Sequence, residues 1–483
     1  MKTEQVHTLI LGAGPAGLAA GYTLAKAGHS PVILERNKVA GGLMRSINRG
    51  DFTVDVGRKE LYNRLEQVDS FWENILGDDY KGYPHRGGIL YDGHIIDISS
   101  LFRGFRRGMP WRMFFGCGWD FLFSRVGRRS AGPANLEEYF YQKRGRRLTQ
   151  IVSQGFQEKL NCQKWADIPL PEDYVDALDT SFVRTVKGLM TRAFSKAESN
   201  TFQGAWKHPV GGTGQICAAM EKGILDHSGR IEFEANVSQI NSENGVIKEV
   251  VAEVDGETVA YHPANLVSSI PVTILLKLLK PGHDDDAGGA AGKQATRRRT
   301  IVLVYLFLDE SPKFPHAWLN VTCPKTRIGR ITNYSAIHSE MVPEGKTSLC
   351  CEFYCDEGDS LLEQTNDEFV ELALAECLKY ELIEDPDHCF DNLVLRLPGA
   401  DASQNRHNWM VRMKSSFLDD LIRYQNLYFV SRTDLDIATL AGIESGEAIL
   451  SGDRTTFDRH IDPSELPIRS VKKTFEFKNP ADQ

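Results

Sequence analysis

The six residues GAGPAG at positions 12–17 carry the first recognisable chemistry in the chain. Gly12 permits a tight turn, Gly14 lets the backbone come close to a pyrophosphate, and Gly17 lets a following helix pack against the preceding strand. A helix starting at Pro15 and Ala16 would turn its free N–H groups and positive dipole end toward the phosphates. Glu35 lies where a carboxylate can accept both hydroxyls of an adenosine ribose and would repel a 2′-phosphate. These residues describe a dinucleotide site whose adenosine half is unphosphorylated. Further on, Gly41 and Gly42 permit a second backbone approach to phosphate, and Arg45 offers a bidentate countercharge. Other chemistries leave no pattern. The 13 histidines show no HExxH spacing, the 9 cysteines no CxxC pair, and no nucleophile elbow occurs. No metal site is expected, and the cysteines read as buried thiols in a reducing compartment.

The elements that would hold these residues are legible in VHTLILGAGPAGLAAGYTLAKAGHSPVILE. An apolar strand runs to Leu11, Leu18, Tyr22 and Ala25 recur at helical spacing, Gly28 closes the helix, and Val32 to Leu34 form a second strand ending on Glu35. This is one βαβ unit opening a parallel sheet. From Leu61 to about Asn200 the text turns helical, aromatic and basic without alternating strands. Strands return at RIEFEANVSQI, VIKEVVAEVDGETVAYHPANLVSSIP, TIVLVYLFL and TSLCCEFYC, with Asp255-Gly256 as a turn. A long helix is expected over Asn366 to Tyr380. PGHDDDAGGAAGKQATRRR, residues 281–299, reads as a mobile surface loop with a lid as its functional reading.

With 483 residues, 41% of them hydrophobic, the chain suits two intertwined domains. A net charge of -9 argues against a nucleic-acid-coating protein, and no nucleic-acid partner is expected. The charge is uneven: residues 101–150 hold eleven Lys or Arg against three acids. Within them LFRGFRRGMPWRMFFGCGWDFLFSRVGRR, residues 101–129, admits three readings. The preferred one is a helix pair with aromatics inward and arginines solvated. The others are an entrance for a phosphorylated substrate and, less favoured, a membrane-surface patch. No apolar run approaches the ~18 residues of a membrane span, and Glu4 with the glycine punctuation argues against a signal peptide. A cytoplasmic protein is expected.

ERNKVAGGLMRSINRGDFTVDVGRKELYNR, residues 35–64, resembles the flavoprotein superfamily of amine oxidases, phytoene desaturases, protoporphyrinogen oxidase and UDP-galactopyranose mutase. The resemblance implies FAD as cofactor. It also implies an α/β fold: a Rossmann-type FAD-binding domain with an interleaved α+β substrate domain and a helical subdomain. In that family a Gly pair and a following Arg line the pyrophosphate and ribityl chain. The matching residues are Glu35, Arg36, Gly41, Gly42, Leu43, Arg45 and Ser46, then Asp55 and Gly57 where a segment comes up to the flavin ring. The chain departs from the pattern at DVGRK, with Arg58 and Lys59 in place of Gly and His. Two cations there would favour an anionic reduced flavin or anchor an anionic substrate; the alternative is that Lys59 faces solvent.

Three further segments extend the resemblance. WKHPVGGTGQICAAMEKGI places Gly211, Gly212 and Gly214 near the flavin and His208 with them, either catalytic or structural. EANVSQI implies that Val237 pairs its backbone with the adenine. YFVSRTDLDIATLAGIESGEAIL implies a helix starting at Leu440 to Ile443 and aimed at the flavin, with Gly442 and Ile443 at the cofactor. RIGRITNYSA matches in outline a mutase segment that meets a nucleotide-sugar diphosphate, through Arg330 and Asn333.

The expected domains are a discontinuous FAD-binding domain (1–60, 201–272, 425–460), a helical part of the substrate domain (61–200), a β-rich substrate domain (273–424) and a tail (461–483). The leading functional expectation is an FAD-dependent oxidoreductase. It would abstract hydride from a CH–NH, CH–OH or CH–CH group of a small biosynthetic intermediate, with dioxygen or another acceptor reoxidising the flavin. A phosphorylated or sugar-nucleotide substrate fits Arg58 and Lys59. The alternatives are a UDP-galactopyranose mutase-like isomerase working with reduced flavin, and a non-catalytic binding protein of the Rab GDP-dissociation-inhibitor type.

Overall fold

The computed structural model describes residues 1–61, 64–83, 86–98, 108–124, 132–170, 206–279, 299–399, 421–432, 434–462 and 465–468. The chain divides into two compact units, one drawn from Met1–Tyr83, Gly204–Thr296 and Gln404–Gln483, the other from Pro84–Gln203 and Arg297–Ser403. The first unit opens with β1 (Lys2–Leu11), α1 (Pro15–Lys26), β2 (Val32–Leu34), β3 (Ser46–Arg49), β4 (Phe52–Asp55), α2 (Glu66–Leu76) and β5 (Tyr80–Gly82). The second begins with β6 (Gly87–Tyr91), β7 (His94–Asp97), α3 (Trp111–Phe123), α4 (Leu136–Arg144) and α5 (Gly155–Asn161). The chain returns to the first as β8 (Lys207–Pro209), α6 (Gly214–Asp226), β9 (Arg230–Glu232), β10 (Asn236–Glu243), β11 (Val246–Val254) and β12 (Glu257–Ser268). The second unit resumes with β13 (Thr300–Leu308), β14 (Trp318–Val321), β15 (Ile328–Asn333), β16 (Thr347–Cys355), α7 (Asn366–Lys379) and β17 (Cys389–Pro398), and the first closes with β18 (Leu427–Phe429) and α8 (Leu435–Ser451).

In the first unit the strand order is β10-β11-β12-β1-β2-β9, with β18 beside β12. The pairs β12-β1, β1-β2, β2-β9 and β12-β18 are parallel. Leu9, Ile10 and Leu11 are buried because β1 is central and covered on both faces, as parallel strands are. The turns Asn244-Gly245 and Asp255-Gly256 have positive φ at both residues, the type I′ geometry that matches strand twist.

Helix α1 lies against α8 through small residues. A methyl group added at Gly442 would stand 2.2 Å from the Ala16 carbonyl oxygen and 2.9 Å from Ala19 Cβ. The two backbones therefore meet where no side chain fits. Gly442→Ala is expected to destabilise the first unit by about 1–3 kcal/mol through overpacking, read as a lower melting temperature than wild type under matched conditions.

The second unit is built on a sheet of order β17-β13-β16-β15-β14-β6-β7. Helix α7 starts with a capping box between Thr365 and Glu368 and packs Phe369, Ala373 and Cys377 onto Val302, Val304, Cys351 and Phe353. Helix α7 and strands β13 and β16 lie where their sequences put them. The stretch from Leu61 differs, since it contains β5, β6 and β7. The reason is legible afterwards in GGILYDGHIID, an apolar alternation across Asp92-Gly93, whose φ values of 49° and 82° make another type I′ turn. RIEFEANVSQI is two strands, broken at Phe233–Ala235 where Glu234 has positive φ. All but the last residue of segment 281–299 lies outside the described residues.

Candidate functional site

The glycine turn at 12–17 connects β1 to α1. Gly12 donates its N–H to the Leu34 carbonyl at 2.8 Å, tying the turn to the end of β2. Gly14 is the N-cap of α1, with no capping side chain and no atom within 4 Å of where its Cβ would stand. Pro15 occupies the first turn, Ala16 is buried, and a Cβ at Gly17 would lie 1.9 Å from the Gly12 carbonyl oxygen. The first-turn N–H groups thus stand behind open space.

Glu35 follows β2 and is buried although charged. Its Oε2 accepts the Ala13 N–H at 2.7 Å, and its Oε1 accepts the Asn37 N–H at 2.8 Å and the Asn37 side-chain amide at 2.6 Å. Arg36, next to it, is exposed. Ala235 donates its N–H to the Glu35 main-chain carbonyl at 2.9 Å, so the backbone leading to Val237, near the start of β10, is tied to the residue that ends β2.

The second glycine segment meets the first. Gly41 adopts φ +99°, a left-handed conformation that favours glycine, and donates its N–H to the Ala13 carbonyl at 2.7 Å. Gly42 comes close enough that its Cβ would stand 3.3 Å from Gly14 Cα. Leu43 is half exposed, and the Arg45 guanidinium donates to the Gly42 carbonyl at 2.9 Å.

Asp55, at the end of β4, binds a third glycine segment. Its Oδ1 accepts the Ser46 hydroxyl at 2.6 Å and the Thr213 N–H at 2.8 Å, and its Oδ2 faces His208 Nε2 at 3.1 Å. Thr213 returns a hydroxyl bond to the Met44 carbonyl, and the Gly214 N–H reaches Ser46 Oγ, each at 2.8 Å. Burial works to raise the Asp55 carboxyl, yet the bond and charge of His208, with Ser46 and the Thr213 N–H, hold it below its ordinary value. His208 Nδ1 lies 2.8 Å from the Pro209 carbonyl, and the residue is 1% exposed. Both ring nitrogens are therefore engaged inside the protein.

Gly57 follows, buried at φ +68°. Arg58 forms an ion pair with Glu60, so its charge is offset by a residue the sequence reading did not weigh; Lys59 is half-buried where a solvent-facing lysine was the alternative.

Helix α8 begins at Leu435, five residues before the expected start. Gly442 and Ile443 consequently sit in its middle, buried, with Gly442 taken up by the contact with α1. The helix start instead carries Asp434 and Asp436, both bound by Arg64: Nε to Asp436 Oδ2 at 2.5 Å, Nη2 to Asp436 Oδ1 at 2.8 Å and to Asp434 Oδ2 at 2.6 Å. Burial pushes the Asp436 carboxyl up against the pull of Arg64. Sequence reasoning passed over Arg64 and these two acids, although the pattern TDLD before an apolar helical run is a start signal. Arg432, half-buried, donates to the Phe429 and Ser431 carbonyls at 3.0 and 2.9 Å. Burial draws its pKa down to about 10, with Glu444 opposing. Glu444 Oε1 meets His460 Nδ1 at 2.6 Å.

In the second unit, Arg330 is buried on β15. It donates to Asn320 Oδ1 at 3.3 Å and Glu352 Oε2 at 3.4 Å and lies over the Phe156 ring. The Tyr354 hydroxyl donates to the same Glu352 oxygen at 2.6 Å. Asn333 is fully buried, its amide donating to the Phe314 carbonyl and its carbonyl oxygen accepting the Ser335 N–H, both at 3.1 Å. Arg330 thus belongs to a buried polar network, and Asn333 caps the turn after β15.

The family model for flavin containing amine oxidoreductase matches residues 15–377. A prolycopene isomerase 2 of the Oncidium hybrid cultivar is 26% identical over 273 residues, which is 50% of this chain and 45% of that protein. The match spans about half the length of such curated relatives. A 4,4'-diapophytoene desaturase of Methylomonas sp is 23% identical over 71% of this chain and 72% of its own. Among solved structures, reduced UDP-galactopyranose mutase superposes with a TM-score of 0.70 at 18% identity, covering 96% of this chain and 99% of that one.

Proposed function

Since the chain belongs to the family of flavin containing amine oxidoreductases, we propose that it is an oxidoreductase that takes a hydride from a C–H bond of a small-molecule substrate. Its cofactor is FAD. The residues present fit that group: α1 presents uncapped N–H groups behind the open face of Gly14, and the buried Glu35 carboxylate stands one strand away. The joining of the two glycine segments through Gly41 and Ala13 is the observation that carries the reading. It gathers two backbone approaches and one guanidinium, Arg45, around a single space suited to a pyrophosphate.

Bound FAD supplies a two-electron acceptor for the hydride. The chain supplies the holding. Glu35, which has about four acceptor positions and three of them filled, accepts a ribose hydroxyl at the fourth and gains another where the exposed Asn37 amide swings away. The helix end at Gly14 and Arg45 offset the phosphate charge. Asp55 fixes Ser46 and Thr213, and so the glycine backbone between Pro209 and Gly214; His208 positions Asp55. Arg64 binds both carboxylates at the start of α8 and offsets one of their two charges. Arg58 and Lys59 are the cations next to Gly57 that we assign to drawing in an anionic substrate, Arg58 held by its ion pair with Glu60.

Glu35→Ala is expected to weaken FAD binding by about 10- to 150-fold, the worth of about 1.5–3 kcal/mol for bonds to a charged acceptor, measured by fluorescence titration of the apoprotein. Substrate class is tested by anaerobic bleaching of the bound flavin across amines, sugar nucleotides, porphyrinogens and polyenes. If no class bleaches it, the hydride-transfer reading is wrong. One observation favours a second reading: several relatives are named as isomerases, which supports isomerisation without net redox, on a polyene or, mutase-like, on a sugar nucleotide. That reaction would proceed only with reduced flavin and yield no peroxide. Free thiols at all nine cysteines support our placing the protein in the cytoplasm. No helix among the described residues is long and apolar enough to cross a membrane.

A further inference from the structure

The outer face of α3 is apolar in a way the fold does not explain. Trp111, Phe115, Trp119, Leu122 and Phe123 expose 59, 66, 67, 50 and 50% of their surface. Their spacing keeps them on one side of a helix of 3.6 residues per turn. The rings associate along it, Trp111 stacking on Phe115 at 5.8 Å and Trp119 meeting Phe123 at 4.6 Å between centroids. The opposite side is anchored: Cys117 is buried, and Met113 and Phe114 pack with the cluster of Ile89, Ile96 and Ile151. For these side chains the arrangement differs from the one preferred from the sequence, in which the aromatics point inward; residues 101–107 and 125–129 of that stretch lie outside the described residues.

The rim of this ridge is basic. Arg112 is exposed on α3 itself, and Arg146 and Arg147 are exposed on the short helix Arg146–Thr149, with the Arg147 guanidinium lying across Gly116. The one acid of α3, Asp120, accepts the Arg147 N–H at 2.7 Å. Tryptophan and phenylalanine flanked by arginine suit the boundary between lipid headgroups and acyl chains, where aromatic rings settle and cations meet anionic lipid. A second copy of the chain would bring a like-charged rim, which disfavours self-association.

We propose that this face docks on the surface of a bilayer containing anionic lipid, with α3 lying in the interface plane. The test uses the full flavin-loaded chain with vesicles of phosphatidylcholine alone and of phosphatidylcholine with phosphatidylglycerol. Sedimentation with the anionic vesicles is expected, weakened by salt, and reduced about tenfold or more in the double variant Phe115→Ser with Trp119→Ser. Because both positions are exposed, that variant should keep the wild-type flavin spectrum and melting temperature. Brominated lipid should quench part of the tryptophan fluorescence. A second variant, Trp111→Phe with Trp119→Phe, should still sediment but lose that quenching. Absence of binding, equal binding by the serine variant, or a dimer that the serine variant dissociates would each overturn the proposal.

Discussion

Asp55→Ala is expected to cost the first unit several kcal/mol, about 1–3 kcal/mol for each buried group that loses its acceptor, and to release its FAD. The carboxylate is 1% exposed and receives Ser46, Thr213 and His208 at once. Without it the Ser46 hydroxyl, the Thr213 N–H and the His208 ring all lose this acceptor. Asp55→Asn keeps an acceptor for the Thr213 N–H and should be milder. The pH dependence has a definite sign. The folded carboxyl lies below its ordinary value of 3.8, so its stabilisation is present above that value and lost as pH falls through the folded one. Melting curves of wild type and Asp55→Asn should therefore stay apart through neutral pH and converge below about pH 4. A gap that stayed constant into that acid range would show that the hub does not depend on the ionised form.

One methyl group at Gly17 should do comparable damage by another route. Its Cβ would stand 1.9 Å from the Gly12 carbonyl oxygen and 3.2 Å from Ser269 Oγ. Backbone cannot step aside as a flexible side chain can, so either the turn or the start of α1 must move. Overpacking of this kind costs about 1–3 kcal/mol or more; since the displaced atoms line the proposed phosphate cradle, we expect Gly17→Ala to lose about 100-fold or more in FAD affinity, near the upper end of that range. Gly14→Ala is the informative companion. Space surrounds that Cβ within the protein, so the variant should fold and melt as wild type while binding FAD poorly. Purification of Gly17→Ala with a full complement of flavin would sink the assignment.

The turn at 12–17, Glu35 and the Gly pair were legible because each signal lies within a few residues of the element it specifies. The junction of Asp55 with His208 and Thr213 was not, because these partners are more than 150 residues apart and no local pattern announces them. Helix α8 was placed too late in the chain because its expected start follows the resemblance at Leu440 to Ile443 and not the start signal TDLD. The ridge on α3 shows a different limit. Helical spacing tells which aromatics share a face, yet not whether that face turns inward. The ion pair of Arg58 with Glu60 was not legible either, because spacing in the sequence does not tell which neighbouring charges meet.

The contact of Gly442 with Ala16 also fixes when the protein can be finished. Roughly 400 residues separate α1 from α8, and at about 5–20 residues per second a ribosome needs about 20–80 s to make them. Throughout that interval the alanine face of α1 has no cover. The βαβ unit is therefore synthesised long before it is completed, so a nascent chain halted before α8 emerges would leave that unit exposed to chaperones and proteases.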